Sequence, residues 1–285
     1  MIVSMTGFGK SETQYQNKKI TLEIRTLNSK NIDLNIRTPH IYRELEAKLR
    51  GQINTHLVRG KVDVSIFVDH SGADSATVLN QEVIKGYLGQ LEKIHPGDTT
   101  ELLKMALRLP DTLKTEKEAL NEEEVAAVFT LMEETLSHVK EHRLKEGKAL
   151  EKDFIHRLEE LSTLLGKAKE IDPERKERIS EKLSHALEQL GVEVDQNRYE
   201  QELIYYLEKY DITEEKVRLA NHIDYFREIM GQAKPNGKKL GFIAQEMGRE
   251  INTIGSKANH AGLQKIVVQM KDELEKIKEQ LLNVL

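Results

Sequence analysis

Ile20-Thr21-Leu22-Glu23-Ile24-Arg25 alternates apolar and polar side chains residue by residue. That period of two sets Ile20, Leu22 and Ile24 on one face of an extended segment, the pattern of a half-buried strand. It recurs at Ile32, Leu34 and Ile36, after the turn-forming Asn28-Ser29-Lys30-Asn31, and at Val62, Val64, Ile66 and Val68, after Arg59-Gly60-Lys61. Between the last two, Ile41, Leu45, Leu49 and Ile53 recur every fourth residue, which predicts a helix starting just after Pro39. Two or three antiparallel strands and a helix predict an α+β module in residues 1–70.

Beyond about residue 80 the period becomes helical. Val125, Phe129, Met132, Leu136 and Val139 share one helix face, and Leu150, Phe154, Leu158, Leu161, Leu165 and Ala168 continue after Gly147. Asp172-Pro173-Glu174 predicts a new helix, with Asp172 as cap, Pro173 in the first turn and Gly191 as the stop. Further helices are expected over 199–209, 213–230 and 239–252. Leu263, Val267, Met270, Leu274, Ile277, Leu281 and Val284 form a heptad seam, suited to packing within the chain or across a subunit interface. The fold class read from these patterns is α+β. An N-terminal α+β domain is expected over residues 1–120, and a mostly helical domain over 121–285.

A chain of 285 residues, 38% hydrophobic and 32% charged, can bury a sizeable core, which argues against global disorder. The absence of cysteine excludes a disulfide scaffold and any thiolate site, and suits a reducing cytoplasm. No apolar run is long enough to predict a membrane span. The first residues, MIVSMTGFGKSE, lack the pattern of a secretory signal, so a cytoplasmic location is expected. The net charge of −5 argues against a nucleic-acid partner until it is partitioned. Residues 1–70 carry 11 basic and 7 acidic side chains, net +4, and residues 234–257 carry 5 and 2, net +3. Between them, residues 71–233 carry 23 and 35, net −12. Electrostatic footprints are local, so two basic segments flanking an acidic middle leave a nucleic-acid partner open.

Two segments can carry chemistry. In 238–259, Leu240, Ile243, Met247, Ile251 and Ile254 form an apolar stripe, so the segment reads as an amphipathic helix. Glu246 and Glu250 lie four apart on one face of it, beside Gln245 and Arg249. Like charges at that spacing cost a few tenths of a kcal/mol. Arg249 and Lys257 can offset the cost, and so can a divalent cation, which prefers carboxylate oxygens. A solvated face bridged by arginine explains the spacing without a metal. In 211–222, Asp211 and Glu214 have the spacing of a capping box. Glu215, Arg218 and His222 follow on one face. A carboxylate, a guanidinium and an imidazole there suit phosphodiester chemistry, while a surface ladder of ion pairs explains the same spacing. Arg25, Lys30, Arg37, Arg59 and Lys61 fall at strand ends or turns, placed either to meet phosphates or to protect sheet edges.

Other motifs are weaker. His138 and His142 lack a third metal ligand. Gly255-Ser256-Lys257 has the wrong order for a phosphate loop, and Gly7-Phe8-Gly9 lacks the third glycine of a dinucleotide fingerprint, so no nucleotide cofactor is expected.

Several motifs resemble the YicC/YloC family of bacterial proteins. They are Ser4-Met5-Thr6-Gly7-Phe8-Gly9, Glu23-Ile24-Arg25-Thr26-Leu27-Asn28 and Arg59-Gly60-Lys61-Val62 near one end, and Gln245 through Ala258 near the other. Glu146-Gly147 with Leu150, Asp153 and Arg157, and Asp211-Ile212 with Glu214, Glu215, Arg218 and His222, fall between. The resemblance implies a metal-dependent endoribonuclease of the cytoplasm that cleaves single-stranded or structured RNA inside a ring-like homo-hexamer. On that resemblance the two helices are expected to converge on one site. Glu215, Glu246 and Glu250 would hold a divalent ion, Mn²⁺ or Mg²⁺ with Mn²⁺ favoured. Arg218 and Arg249 would clamp the phosphate, with His222 as acid/base or further ligand. Arg25, Asn28, Lys30, Arg59, Lys61, Lys238, Lys239 and Lys257 would guide the RNA backbone. Gly248 stands where many members of the family have Asn, so that Asn is not a required ligand here, and the end Leu281-Leu282-Asn283-Val284-Leu285 replaces a more polar one. The alternative expectation is a non-catalytic RNA-binding adaptor acting with a partner nuclease.

Overall fold

A computed structural model describes residues 1–70, 77–115, 120–190 and 195–285. Their contacts group into two compact units: a sheet unit, Phe8–Val139, and a helical unit, Met1–Gly7 with Lys140–Leu285. The architecture is α+β.

In the sheet unit, β1 (Gly7–Tyr15), β2 (Lys18–Leu27), β3 (Ile32–Arg37) and β4 (Gly60–His70) form one sheet in the order β1-β2-β4-β3. β2 and β4 are antiparallel, with Leu22 opposite Ile66 and Ile24 opposite Val64, so the two alternating apolar rows share a face. β3 departs from the expected antiparallel pairing and runs parallel to β4, with Leu34 opposite Val62. Parallel neighbours need a crossover, and a 3₁₀ turn at His40–Leu45 followed by helix α1 (Glu46–His56) provides it. The helix expected after Pro39 is therefore α-helical only from Glu46 onward. Leu49 and Ile53 of α1 bury against the apolar rows of β2 and β4, together with Val128, Leu131, Met132, Leu136 and Val139 from the first part of α4 (Glu122–Leu190).

β1 has no apolar alternation to announce it, because its innermost positions are Gly7, Gly9 and Ser11. A Cβ on Gly9 would stand 2.4 Å from the Thr135 carbonyl oxygen. Small inward residues are what allow this strand to lie against α4. Beyond the sheet, β5 (Thr77–Leu79) pairs with β6 (Leu113–Thr115), with α2 (Gln81–Ile94) and α3 (Thr99–Ala106) between them in sequence.

The helical unit consists of α4 from Lys140 onward, α5 (Gln196–Lys209), α6 (Thr213–Gly231), α7 (Gly237–Lys257) and α8 (Ala261–Leu281). No helix begins at Asp172: Pro173 lies inside α4. Asp172 is not a cap because its carboxylate is taken by Arg175 and Lys216. The expected stop at Gly191 lies outside the described residues. The heptad seam is buried within the chain: Leu263, Val267, Met270, Leu274, Ile277 and Leu281 join Phe154, Leu158, Ile223, Phe226, Met247 and Ile251 in one core.

The N-terminal motif has a structural role in this unit. Ser4 bridges to Val284, Leu285 N–H donates to the Val3 carbonyl at 3.0 Å, and Thr6 Oγ1 donates to Glu146 Oε2 at 2.7 Å. Gly147 admits this segment, since a Cβ there would stand 2.1 Å from the Ile2 carbonyl oxygen. Among the described residues no helix is long and apolar enough to cross a membrane.

Candidate active site on the α6–α7 seam

Helix α6 is anchored by Ile212, fully buried at its start. The expected capping box does not form. Asp211 accepts from the Thr213 hydroxyl at 2.9 Å and its N–H at 3.4 Å, while Glu214 pairs with Arg218 one turn on. Leu219, Ile223, Phe226 and Met230 turn into the core. Helical spacing then leaves Glu215, Arg218 and His222 along one edge. Helix α7 does the same: Leu240, Ile243, Met247, Ile251 and Ile254 are buried, and Glu246, Glu250 and Lys257 follow its edge.

Side-chain pairs join the two edges. Lys257 Nζ donates to Glu215 Oε1 at 2.7 Å. Arg218 Nη1 stands 4.0 Å from Glu250 Oε1. Lys239 Nζ lies 5.0 Å from the centre of the Tyr225 ring. The partners run in opposite sequence order, so the helices are antiparallel, and His222 lies along α6 between the second and third pairs. Glu215 and Glu250 are both buried, and Glu215 Oε2 has no hydrogen-bond partner. Glu246 is more open and accepts from Arg249 on its own helix at 2.8 Å. Each like-charged glutamate of α7 is thus matched by a guanidinium, one from its own helix and one from α6. Carboxylates, cations and one imidazole line a single antiparallel seam.

Asp172, expected as a helix cap, instead forms a buried pair with Arg175 that holds one end of this seam. Arg175 is almost fully buried on α4 and donates from Nη2 to Asp172 Oδ1 at 2.7 Å and from Nη1 to the Lys257 carbonyl at 3.2 Å. Asp172 also accepts from Lys216 Nζ at 2.6 Å, next to Glu215 on α6. Burial alone would raise the Asp172 pKa, but the hydrogen bonds from Lys216 and Arg175 hold it below its ordinary value. The available signal was the (i, i+3) acid–arginine spacing of Asp172 and Arg175, which fits an ion pair as readily as a cap.

The donor set suits a hard divalent ion only in part. The unpartnered buried oxygen of Glu215 and the buried Glu250 carboxylate are oxygen ligands of the kind such ions take. Among the described residues, however, no three His, Asp or Glu side chains come together as a ready cluster. Glu215, Glu246 and Glu250 are therefore not gathered as a three-carboxylate cage.

The residues expected to guide RNA fall into separate groups. Arg25, Asn28, Lys30, Arg59 and Lys61 gather at one end of the sheet, where Leu27 pairs with Lys61 and Ile32 with Gly60. Arg25 is exposed and lies 5.6 Å over the Phe8 ring. Lys238 and Lys239 are exposed at the start of α7. Lys257 closes the same helix, roughly 27 Å away along its axis, and is committed to Glu215. Phe8 is the contact that spacing did not reveal.

The sequence matches the family described as endoribonuclease YicC-like, N-terminal region, over residues 2–152, and as endoribonuclease YicC-like, C-terminal, over residues 165–285. It is 32% identical over 294 residues to a protein of Clostridioides difficile (strain 630) named probable endoribonuclease YicC, with both chains covered in full. A protein of the same name from Haemophilus influenzae is 28% identical over 287 residues, again with both chains covered in full. Matches to both regions and full-length similarity to these relatives lead to one conclusion: the chain belongs to the family of YicC-like endoribonucleases.

Proposed function

We propose that this chain is a metal-dependent endoribonuclease of the cytoplasm whose cleavage site is the α6–α7 seam, working in a homo-hexameric ring. Support for the site comes chiefly from Glu215. It is a buried carboxylate with one oxygen unpartnered and the other held by Lys257, at the edge of an antiparallel helix pair. Such a group costs stability, and a fold retains it most readily where it has work to do. Relatives over the full length carry the printed name of probable endoribonuclease.

Glu215 and Glu250 would hold the ion, Mn²⁺ or Mg²⁺, with Glu246 on the more open side of α7 and outside a shared cluster. When bound, such an ion neutralises phosphate charge and lowers the pKa of an attacking hydroxyl or water. Arg249 and Arg218 are exposed, and their planar guanidinium groups suit a phosphate in two-point contact. His222 is half-buried on the same edge of α6 as Arg218, and its imidazole would take or give a proton on the attacking or leaving oxygen. Lys238 and Lys239 at one end of α7, and the basic end of the sheet, would draw in the RNA backbone.

One observation favours a second reading: glutamates 215, 246 and 250 each already face a cation. A seam neutralised in this way also fits an RNA-binding adaptor. Incubating the purified chain with a short single-stranded RNA, with and without Mn²⁺, separates the two. Internal cleavage that requires the ion supports the nuclease, and its product ends assign the nucleophile. Binding without cleavage supports the adaptor.

A further inference from the structure

We propose that Tyr225 and Phe242 form a stacking subsite for a nucleobase of single-stranded RNA, next to the phosphate held on the α6–α7 seam. This inference rests on the function proposed above and adds to it the class of RNA feature that is read. Tyr225 follows His222 by three residues on α6, and Phe242 precedes Glu246 by four on α7, so both stand about one helical turn from the seam's reactive groups. They project from the same outer edges that carry Arg218 and Arg249, while the core-facing residues of both helices point the other way. Tyr225 is 40% exposed and Phe242 is 58% exposed. A single exposed aromatic needs no explanation. Two on the outer side of one helix pair, each one turn from the carboxylates and cations of its seam, do.

The surrounding charge indicates the occupant. Lys239 Nζ lies over the Tyr225 ring at 5.0 Å, so the face of the ring meets a cation. Lys238 is exposed beside it, and Arg249 lies two turns beyond Phe242. Exposed rings interleaved with cations match a strand of alternating bases and phosphates. An apolar protein partner would leave those cations without anions. On binding, a base stacks on the rings and the Lys239 ammonium moves to the adjoining phosphate. Stacking tolerates any base, so the subsite selects unpaired RNA without reading its sequence.

The test is binding of a short single-stranded RNA containing 2-aminopurine to the full chain in EDTA, so that cleavage does not intervene. Wild type should bind and quench the fluorescence. Tyr225→Ala and Phe242→Ala should each weaken binding about tenfold and lose the quenching, with an unchanged melting temperature, and Tyr225→Phe and Phe242→Tyr should restore both. Alanine variants with wild-type affinity and quenching overturn the proposal. So does a change of oligomeric mass in those variants with RNA affinity unaltered, which would make the patch a contact between copies of the chain. Failure of the wild type to bind any RNA overturns the function proposed above and the subsite with it, whereas intact binding with indifferent alanine variants overturns the subsite alone.

Discussion

Lys257 Nζ donates a 2.7 Å hydrogen bond to Oε1 of Glu215, while the other oxygen of the same carboxylate is buried and unpartnered. The contact ties the last residue of α7 to the first turn of α6. Lys257→Met keeps the aliphatic stem and removes the one cation that the described residues place on that carboxylate, leaving a buried charge without that partner. We expect a loss of about 2 kcal/mol, seen as a melting temperature about 4–8 °C lower. Glu215→Gln combined with Lys257→Met should recover part of it. A single variant as stable as wild type would show that the pair contributes nothing.

Asp172 gives stability a defined acid limb. Burial opposes its charge, but Lys216 and Arg175 hold its pKa below the ordinary aspartate value in the folded chain. A depressed folded pKa contributes stability that is present above the unfolded pKa, about 3.9, and is lost as pH falls through the folded one. Glu273, held down by Lys276 and Arg157 against its own burial, acts in the same direction. Asp172→Asn should therefore flatten the fall in stability below about pH 4, measured by urea titrations across that range. An unchanged acid limb would contradict the assignment.

The readable part of the fold was the part in which burial follows a period. β2, β3 and β4 alternate, and α8 carries its seam, because each presents one apolar face to a core. β1 escaped because close packing on α4 requires glycine and serine at its inward positions, which carry no hydrophobic signal. Pro173 read as a boundary, yet Asp172 and Arg175 on either side are buried in pairs that keep α4 going. In the site, spacing showed which residues share a helix face. It was silent on partners across helices: Arg218 with Glu250, Lys257 with Glu215, and Lys239 with Tyr225 all depend on the register of α6 against α7.

Gly147 is a position where only hydrogen fits. A methyl group would fall 2.1 Å from the Ile2 carbonyl oxygen and 3.1 Å from the Val3 Cα, both backbone atoms that cannot swing aside. Gly147→Ala should displace the N-terminal segment and cost about 1–3 kcal/mol, with faster hydrogen exchange at the Ser4 and Met5 amides. Wild-type protection at those amides would contradict the packing described.

Arg249 is exposed, and among the described residues Glu246 is the carboxylate paired with it. If it meets an RNA phosphate, Arg249→Ala should weaken binding by a similar factor for all sequences. It should also reduce the slope of log affinity against log salt by about 0.7, the value for one contact on a single strand. An unaltered slope would place the phosphate elsewhere.

In the function proposed above, the α6–α7 carboxylates hold the ion that RNA cleavage needs. The most direct test of that role is the Mn²⁺-dependent cleavage rate of a single-stranded RNA by Glu215→Gln/Glu250→Gln, measured beside RNA affinity on the same protein. The expected rate is at least about a hundredfold lower, with affinity close to wild type. Cleavage at the wild-type rate by the folded double variant would contradict it.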